Sequence, residues 1–292
     1  MEVVVQTLID GLVLGGVMSL AAAGFSLIFG VMNVVNLAHG AMVIIGAYLG
    51  YLSLSLLGID PLIMIPPVMA VMYALGYYIQ RTVVHFAVKR SSLVASLLVT
   101  FGIALVLRNL MDLVFSPDVR SVSPAYAFMH FGIGFVSIDV VRLVGLGASA
   151  LMLWFLAFVL NKTSFGRQIR GTAQQPLAAE VCGVNVSHVY AMTFGIGAAF
   201  AGAAGIVIGI VMPFSPHSEG IWTLNAFVVV VLGGVGSPAG ALAGGILLGL
   251  IKTLTAQFVG PAFTNAMMFL ILVLMLIVRP QGLLGNVFGE SR

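Results

Sequence analysis

The chain has 292 residues, 61% of them hydrophobic and only 7% charged, with a mean hydropathy of +1.17 and a formal net charge of +3. Soluble domains carry roughly 25% charged residues, so the composition is that of an integral membrane protein. The small, scattered charge gives no footprint for nucleic acid, and the single cysteine, Cys182, excludes a disulfide framework or a cysteine-based metal cluster.

The opening MEVVVQTLID carries Glu2 and Asp10 and no base. A secretory signal needs a positive start, so the first apolar run is read as a retained span. Apolar runs of about 20 residues predict spanning helices. They cover 12–29, 41–57, 62–79, 93–115, 140–160 and 189–211, then a short run over 221–232, then 239–254 and 266–278. The expectation is an all-α polytopic membrane protein of nine crossings, or eight if the short run is re-entrant. It forms one transmembrane domain over 1–292. Gly58-Ile59-Asp60-Pro61, Ser116-Pro117-Asp118, Pro213 with Pro216, and Gly236-Ser237-Pro238 supply the turns between runs.

Lys and Arg set the orientation. Placing Arg81, Lys89, Arg90, Lys162, Arg167, Arg170, Arg279 and Arg292 on the cytoplasmic side accounts for eight of the twelve bases. Arg108, Arg120, Arg142 and Lys252 then lie at or near the outer side, Lys252 snorkelling to the interface. Nine crossings put the N-terminus outside and the C-terminus inside. Four spans would then lie on each side of a central crossing. Two such halves have opposite topology, the inverted-repeat plan of many transporters. Ala22-Ala23-Gly24 resembles Ala203-Ala204-Gly205, and each span is followed by an irregular stretch with a histidine, His39 and His217, a likeness near what an alanine- and glycine-rich chain gives by chance.

Polar groups between spans mark the candidate sites. In 30–40, GVMNVVNLAHG, the residues Asn33, Asn36 and His39 recur every third position with almost no loop. Side chains at that depth need protein partners or a wet cavity. Two readings stay open: a broken helix lining a substrate path, or an interfacial turn capped by asparagines. The candidate path residues are Asn33, Asn36, His39, Gly40 and Asn225. In 231–250, Gly240 and Gly244 form a small-xxx-small pair, which points to close helix packing rather than substrate contact. Arg108 and Asp112, four residues apart, read as a structural ion pair near the outer interface. Ionisable groups are almost lacking at mid-span, against a proton-coupled carrier. Ser149 lies among small residues with no activating histidine in a neighbouring run, and there is no H-E-x-x-H and no Walker A lysine, so no enzyme activity is expected.

The longest polar interruption is 161–188, centred on TSFGRQIRGTAQQPLAAEVCGVNV. Helix connections are usually short, so about two dozen residues between spans suggest a surface for a soluble partner. Gly166, Arg167, Arg170, Gln174, Ala178, Ala179, Glu180 and Gly183 are its candidate contact residues, with Cys182 as a small buried filler.

Thr163 to Arg170, Ala178-Ala179 and Gly183-Val184-Asn185-Val186 resemble the cytoplasmic loop of branched-chain amino-acid ABC importer permeases. The likeness extends to Asn33-Val34-Val35-Asn36-Leu37-Ala38-His39-Gly40, Gly233-Gly234-Val235-Gly236-Ser237 and Arg279-Pro280-Gln281-Gly282-Leu283, in order along the chain. Gly171 stands where the family has alanine, and Gln175-Pro176 stands where an acidic residue often precedes. The length is similar to that of the shorter of the two permease subunits. The resemblance implies a heteromeric importer in the inner (cytoplasmic) membrane of a bacterium or archaeon, surrounded by membrane lipid. A second homologous permease, two cytoplasmic ATPases on the 161–188 loops and a periplasmic or extracellular solute-binding protein would complete it. No cofactor is expected on this chain; ATP and Mg would be held by the ATPases. Branched-chain amino acids lead the family's substrates, with urea, short amides and other small acids among relatives. A sugar-type ABC permease and a passive channel are the competing classes.

Overall fold

The computed structural model describes residues 2–89, 93–133 and 136–284. Arg90 and Arg292, two bases counted toward the cytoplasmic side, lie outside the described residues. The helices are α1 (Glu2–Met32), α2 (His39–Ser55), α3 (Ile65–Ile79), α4 (His85–Lys89), α5 (Leu93–Phe115), α6 (Val140–Lys162), α7 (Ser164–Gln174), α8 (Pro176–Val181), α9 (Val186–Val211), α10 (Glu219–Gly233), α11 (Pro238–Phe258) and α12 (Thr264–Val278). A π turn, Gln80–Val84, joins α3 to α4 without a break. Each of the nine predicted apolar runs falls largely in a helix, and among the described residues six helical segments are long and apolar enough to cross a membrane. They are α1, α5, α6, α9, α11 and the segment Pro261–Val278 that contains α12. At 1.5 Å per residue, the 15-residue α10 reaches only about 22 Å, short of a hydrocarbon core of roughly 30 Å. The expectation of eight or nine full spans therefore exceeds what the helix lengths alone provide.

A second departure concerns class. Strands β1 (His130–Ile133) and β2 (Val136–Asp139) pair antiparallel, His130 opposite Asp139 and Ile133 opposite Val136. Among the described residues this hairpin, in the connection between α5 and α6, is the only strand pair, and its strands are too short to disturb the apolar pattern. It leads into α6, where Arg142 bonds Asp139 at 2.9 Å and Asp10 of α1 at 3.0 Å. Below it, the Tyr126 hydroxyl donates to Asp60 at 3.1 Å. Burial first, and that bond second, push the Tyr126 phenol well above its usual range.

The core is assembled by close backbone approach. Lipid supplies no hydrophobic drive between helices, so small residues that admit dispersion contact decide the pairing. α1 lies antiparallel to α11, with Gly11 against Leu250 and Thr253, Gly15 against Ile246, and Ser19 hydrogen-bonded to the carbonyl of Leu242 at 3.2 Å. α9 lies antiparallel to α3, with Gly202 against Met72 and Gly195 against Tyr73. α1 and α9 cross at Gly24 and Gly197, where a Cβ on Gly24 would sit 2.3 Å from the Gly197 carbonyl. The centres of α1 and α9 are accordingly buried nearly all round. α5 and α12 keep broad apolar faces exposed, including Leu98, Leu113, Ile277 and Val278. Following these antiparallel pairs, Arg81, Lys162, Arg167, Arg170 and Arg279 collect at one end of the bundle.

Candidate functional site

α1 ends in an abrupt turn. Asn33 takes a positive φ of 51°, which asparagine tolerates better than other non-glycine residues, and its N–H closes on the Phe29 carbonyl at 3.0 Å. Residues 33–36 are neither helix nor strand, and the helix restarts at His39. Other parts of the fold add further fixed points to the interruption. The Thr100 hydroxyl of α5 donates to the Val35 carbonyl at 3.1 Å. The Thr223 hydroxyl of α10 donates to the Leu37 carbonyl at 3.2 Å and accepts from the Gly40 N–H at 2.9 Å. His39 Nε2 donates to the Ala21 carbonyl of α1 at 2.6 Å. The segment is a break between α1 and α2 with Asn36 and His39 buried in the bundle.

The structure gives each predicted path residue a definite place. Asn33 is exposed; Asn36 and His39 are buried at 1% and 0% exposure. Asn36 Oδ1 accepts from the Ala38 N–H at 3.1 Å, folding the amide over the first turn of α2. Gly40 is packed so that a Cβ would lie 1.9 Å from the Glu219 carbonyl, bringing the starts of α2 and α10 together. Asn225 does not join them. Successive helical residues turn by about 100°, so Asn225 faces nearly away from Thr223. There it accepts from Lys252 of α11 at 2.8 Å. Thr100 and Thr223 were not visible as site residues, because neither belongs to a recurring polar pattern.

α9 and α10 are also separated by an interruption. Ser215 and Ser218 form a reciprocal capping box around Pro216. Phe214 exchanges two backbone hydrogen bonds of 2.8 Å with Arg120, and its ring packs edge-on to Tyr48 with centroids 5.0 Å apart. His217 stands between Arg108 and Asp112. Arg108 Nη2 donates to His217 Nδ1 at 2.6 Å, and His217 Nε2 lies 3.9 Å from Asp112 Oδ1. The expected direct Arg108–Asp112 pair is thus replaced by one with histidine between them.

At the basic end, the predicted loop is two helices set at an angle. Thr163 caps α7 by accepting from the Gly166 N–H at 3.0 Å. Proline disfavours helical backbone in the residue before it, so Gln175 is extended and Pro176 starts α8. A Cβ on Gly166 would meet the Leu160 carbonyl at 2.1 Å, and Arg170 donates to that same carbonyl, so α7 is seated on the end of α6. Arg167, Gln174, Ala178, Glu180 and Gly183 are exposed, and Ala179 is buried. Cys182 is exposed, not the buried filler expected. Gly183 takes φ 83° and ends α8, which leaves Cys182 at the outer edge of the turn. Leu177 and Val181, one turn apart, are 73% and 89% exposed. At the other end of α10, Gly240 and Gly244 approach it closely: a Cβ on Gly244 would lie 2.2 Å from the Val229 carbonyl.

No group of three or more histidine, cysteine or acidic residues suited to a metal ion occurs among the described residues. What is present is a multi-pass helical bundle with an interrupted helix at its centre and a polar two-helix platform at one end, the arrangement of a membrane permease. The chain belongs to the branched-chain amino acid transport system permease family, whose profile matches residues 7–278. It is 29% identical to the high-affinity branched-chain amino acid transport system permease protein BraD of Pseudomonas aeruginosa, over 96% of this chain and 95% of that one. It is 30% identical to the LivH permease protein of Escherichia coli K12, with the same coverage of 96% and 95%. A shorter match, 33% identical over 49% of this chain and 35% of the relative, is to the LivM permease protein of the same organism. No solved structure gives a significant match.

Proposed function

We propose that this chain is one permease subunit of a binding-protein-dependent ABC importer that carries branched-chain amino acids inward. The observation that carries this reading is the end-to-end similarity to LivH and BraD, two high-affinity branched-chain amino acid permeases. The weaker match to LivM supports a second, homologous permease as partner. A solute-binding protein delivers substrate from outside, and two ATPases holding ATP and Mg drive the cycle from the cytoplasm. The chain itself needs no cofactor.

The geometry supports the division of labour. α7 and α8 carry Arg167, Leu177 and Val181 outward at the basic end, a surface suited to a soluble partner. Gly166, Arg170 and Ala179 hold that surface on the bundle, while Gln174, Ala178, Glu180 and Gly183 complete its exposed face. Nine membrane segments, with α2 and α10 as half-spans entered through the interruptions, make an inverted repeat. Its support is that α1 pairs with α11 as α9 pairs with α3, each pair antiparallel. The substrate path runs past Asn33, Asn36, His39 and Gly40, while Asn225, turned toward Lys252, lies off it.

The test is uptake into proteoliposomes holding this chain with its partner permease, ATPases and binding protein. Leucine, isoleucine or valine should accumulate only with ATP and the binding protein. Accumulation without the ATPases would overturn the ABC assignment, and uptake confined to urea or amides would overturn the substrate.

A further inference from the structure

Two buried polar atoms at the helix break have no hydrogen-bond partner among the described residues: Asn36 Nδ2 and His39 Nδ1. Such atoms are rare in folded proteins, because each leaves a desolvated group unmet. Their chemical character is fixed by bonds already described. A carbonyl only accepts, so the contact to Ala21 puts the ring proton of His39 on Nε2. In neutral imidazole Nδ1 is then an acceptor. The Ala38 N–H occupies Asn36 Oδ1, so the unmet side of that amide is the N–H2 donor. The pair therefore offers one donor and one acceptor, three residues apart, at the start of a 17-residue helix whose cap residue, Ala38, supplies no side chain. The dipole of that helix favours negative charge at its start.

An aromatic wall adjoins the pair. The Phe25 ring meets His39 edge-on at 5.4 Å and lies 6.4 Å from Phe29 and 6.3 Å from Phe227. Phe25 is buried while Phe29 and Phe227 are half-buried, so this wall leads from the pair toward the protein surface.

We infer that Asn36 and His39 are a headgroup site for a zwitterionic α-amino acid with an aliphatic side chain. The Asn36 amide, at the positive end of α2, takes the carboxylate. His39 Nδ1 accepts from the ammonium, and the side chain lies along Phe25 and Phe227. In the present conformation the pair is closed off, and solute enters when the aromatic wall parts. This rests on the importer reading and narrows it, because urea or a neutral amide carries no negative charge for the positive end of α2 to favour.

Two variants separate this role from a structural brace. Asn36→Asp keeps Oδ1 for Ala38 and replaces the donor with a negatively charged acceptor. His39→Gln keeps a donor for Ala21 and removes the ring acceptor. The readout is the number of leucine molecules taken up per ATP hydrolysed by the full complex in proteoliposomes. Each variant is expected to lower that ratio about tenfold, Asn36→Asp the more strongly. An unchanged ratio overturns the site, whether both rates fall together, as for a brace, or neither falls. The wild-type arm keeps the two readings apart. Transport of a different zwitterion, with the ratio still falling in both variants, overturns the branched-chain reading and leaves the pair standing. Transport only of an uncharged solute overturns both.

Discussion

After α1 the chain turns at Asn33 and restarts as α2 at His39; after α9 it turns past Pro213 and restarts as α10 at Glu219. The second interruption is largely satisfied within itself and by its outer neighbours. Two prolines set its backbone, Ser215 and Ser218 cap each other, and Phe214 is pinned to Arg120. The first has no proline and no side-chain cap on α2. It is held by Thr100, Thr223 and Ala21, and it still leaves Asn36 and His39 with unmet atoms. A break needed only for shape closes its own polar groups. One whose support comes from three other helices, and whose polar atoms stay open, is poised to change partners when those helices move.

Substitutions at the two breaks sharpen that contrast. The largest effect is expected at Gly40, where any side chain meets the Glu219 backbone and neither helix start can yield. Gly40→Val should destabilise by about 3 kcal/mol or more, read as a lower unfolding midpoint of the purified complex in detergent. The adjacent Gly220, with open space at its Cβ position, should accept alanine without a shift. Thr223→Val keeps the shape but strips the Leu37 and Gly40 bonds, leaving a buried N–H unmet at a cost of about 1–3 kcal/mol. Ser215→Ala removes only a cap and should cost about 1 kcal/mol. If Ser215→Ala proves as costly as Thr223→Val at the same scan rate, the two breaks are equivalent and the contrast fails.

The sequence pointed to the first break because three polar residues recur in a stretch with no room for a loop. It could not show what holds them. Thr100 and Thr223 lie 65 and 186 residues away from their partners, neither in a recurring polar pattern, so their roles exist only once α5 and α10 are packed. Apolar runs located every long helix, since lipid solvation acts on composition alone. They do not settle the number of full crossings, because a run tells how long a segment is greasy, not whether its helix starts at the surface or midway. The same limit applied at 161–188. Pro176 was in plain view, yet the division into α7 and α8 follows from Gln175 being driven extended, and the exposure of Cys182 from the left-handed turn at Gly183. The hairpin before α6 left no signal, since four-residue strands are too short for alternation to stand out.

The seat of α7 on α6 has a mechanical consequence. With Gly166 against the Leu160 backbone and Arg170 fastened to its carbonyl, the two helices move as one bent lever pivoting near Leu160. The short arm, 11 residues of α7, is about 16 Å long, and the long arm, 23 residues of α6, about 34 Å. A push of about 1 Å at the tip of α7 then swings the far end of α6 by roughly 2 Å. That far end is tied through Arg142 to Asp10, at the start of α1. A small stroke at the basic face thus arrives, amplified, at the helix whose other end is the break.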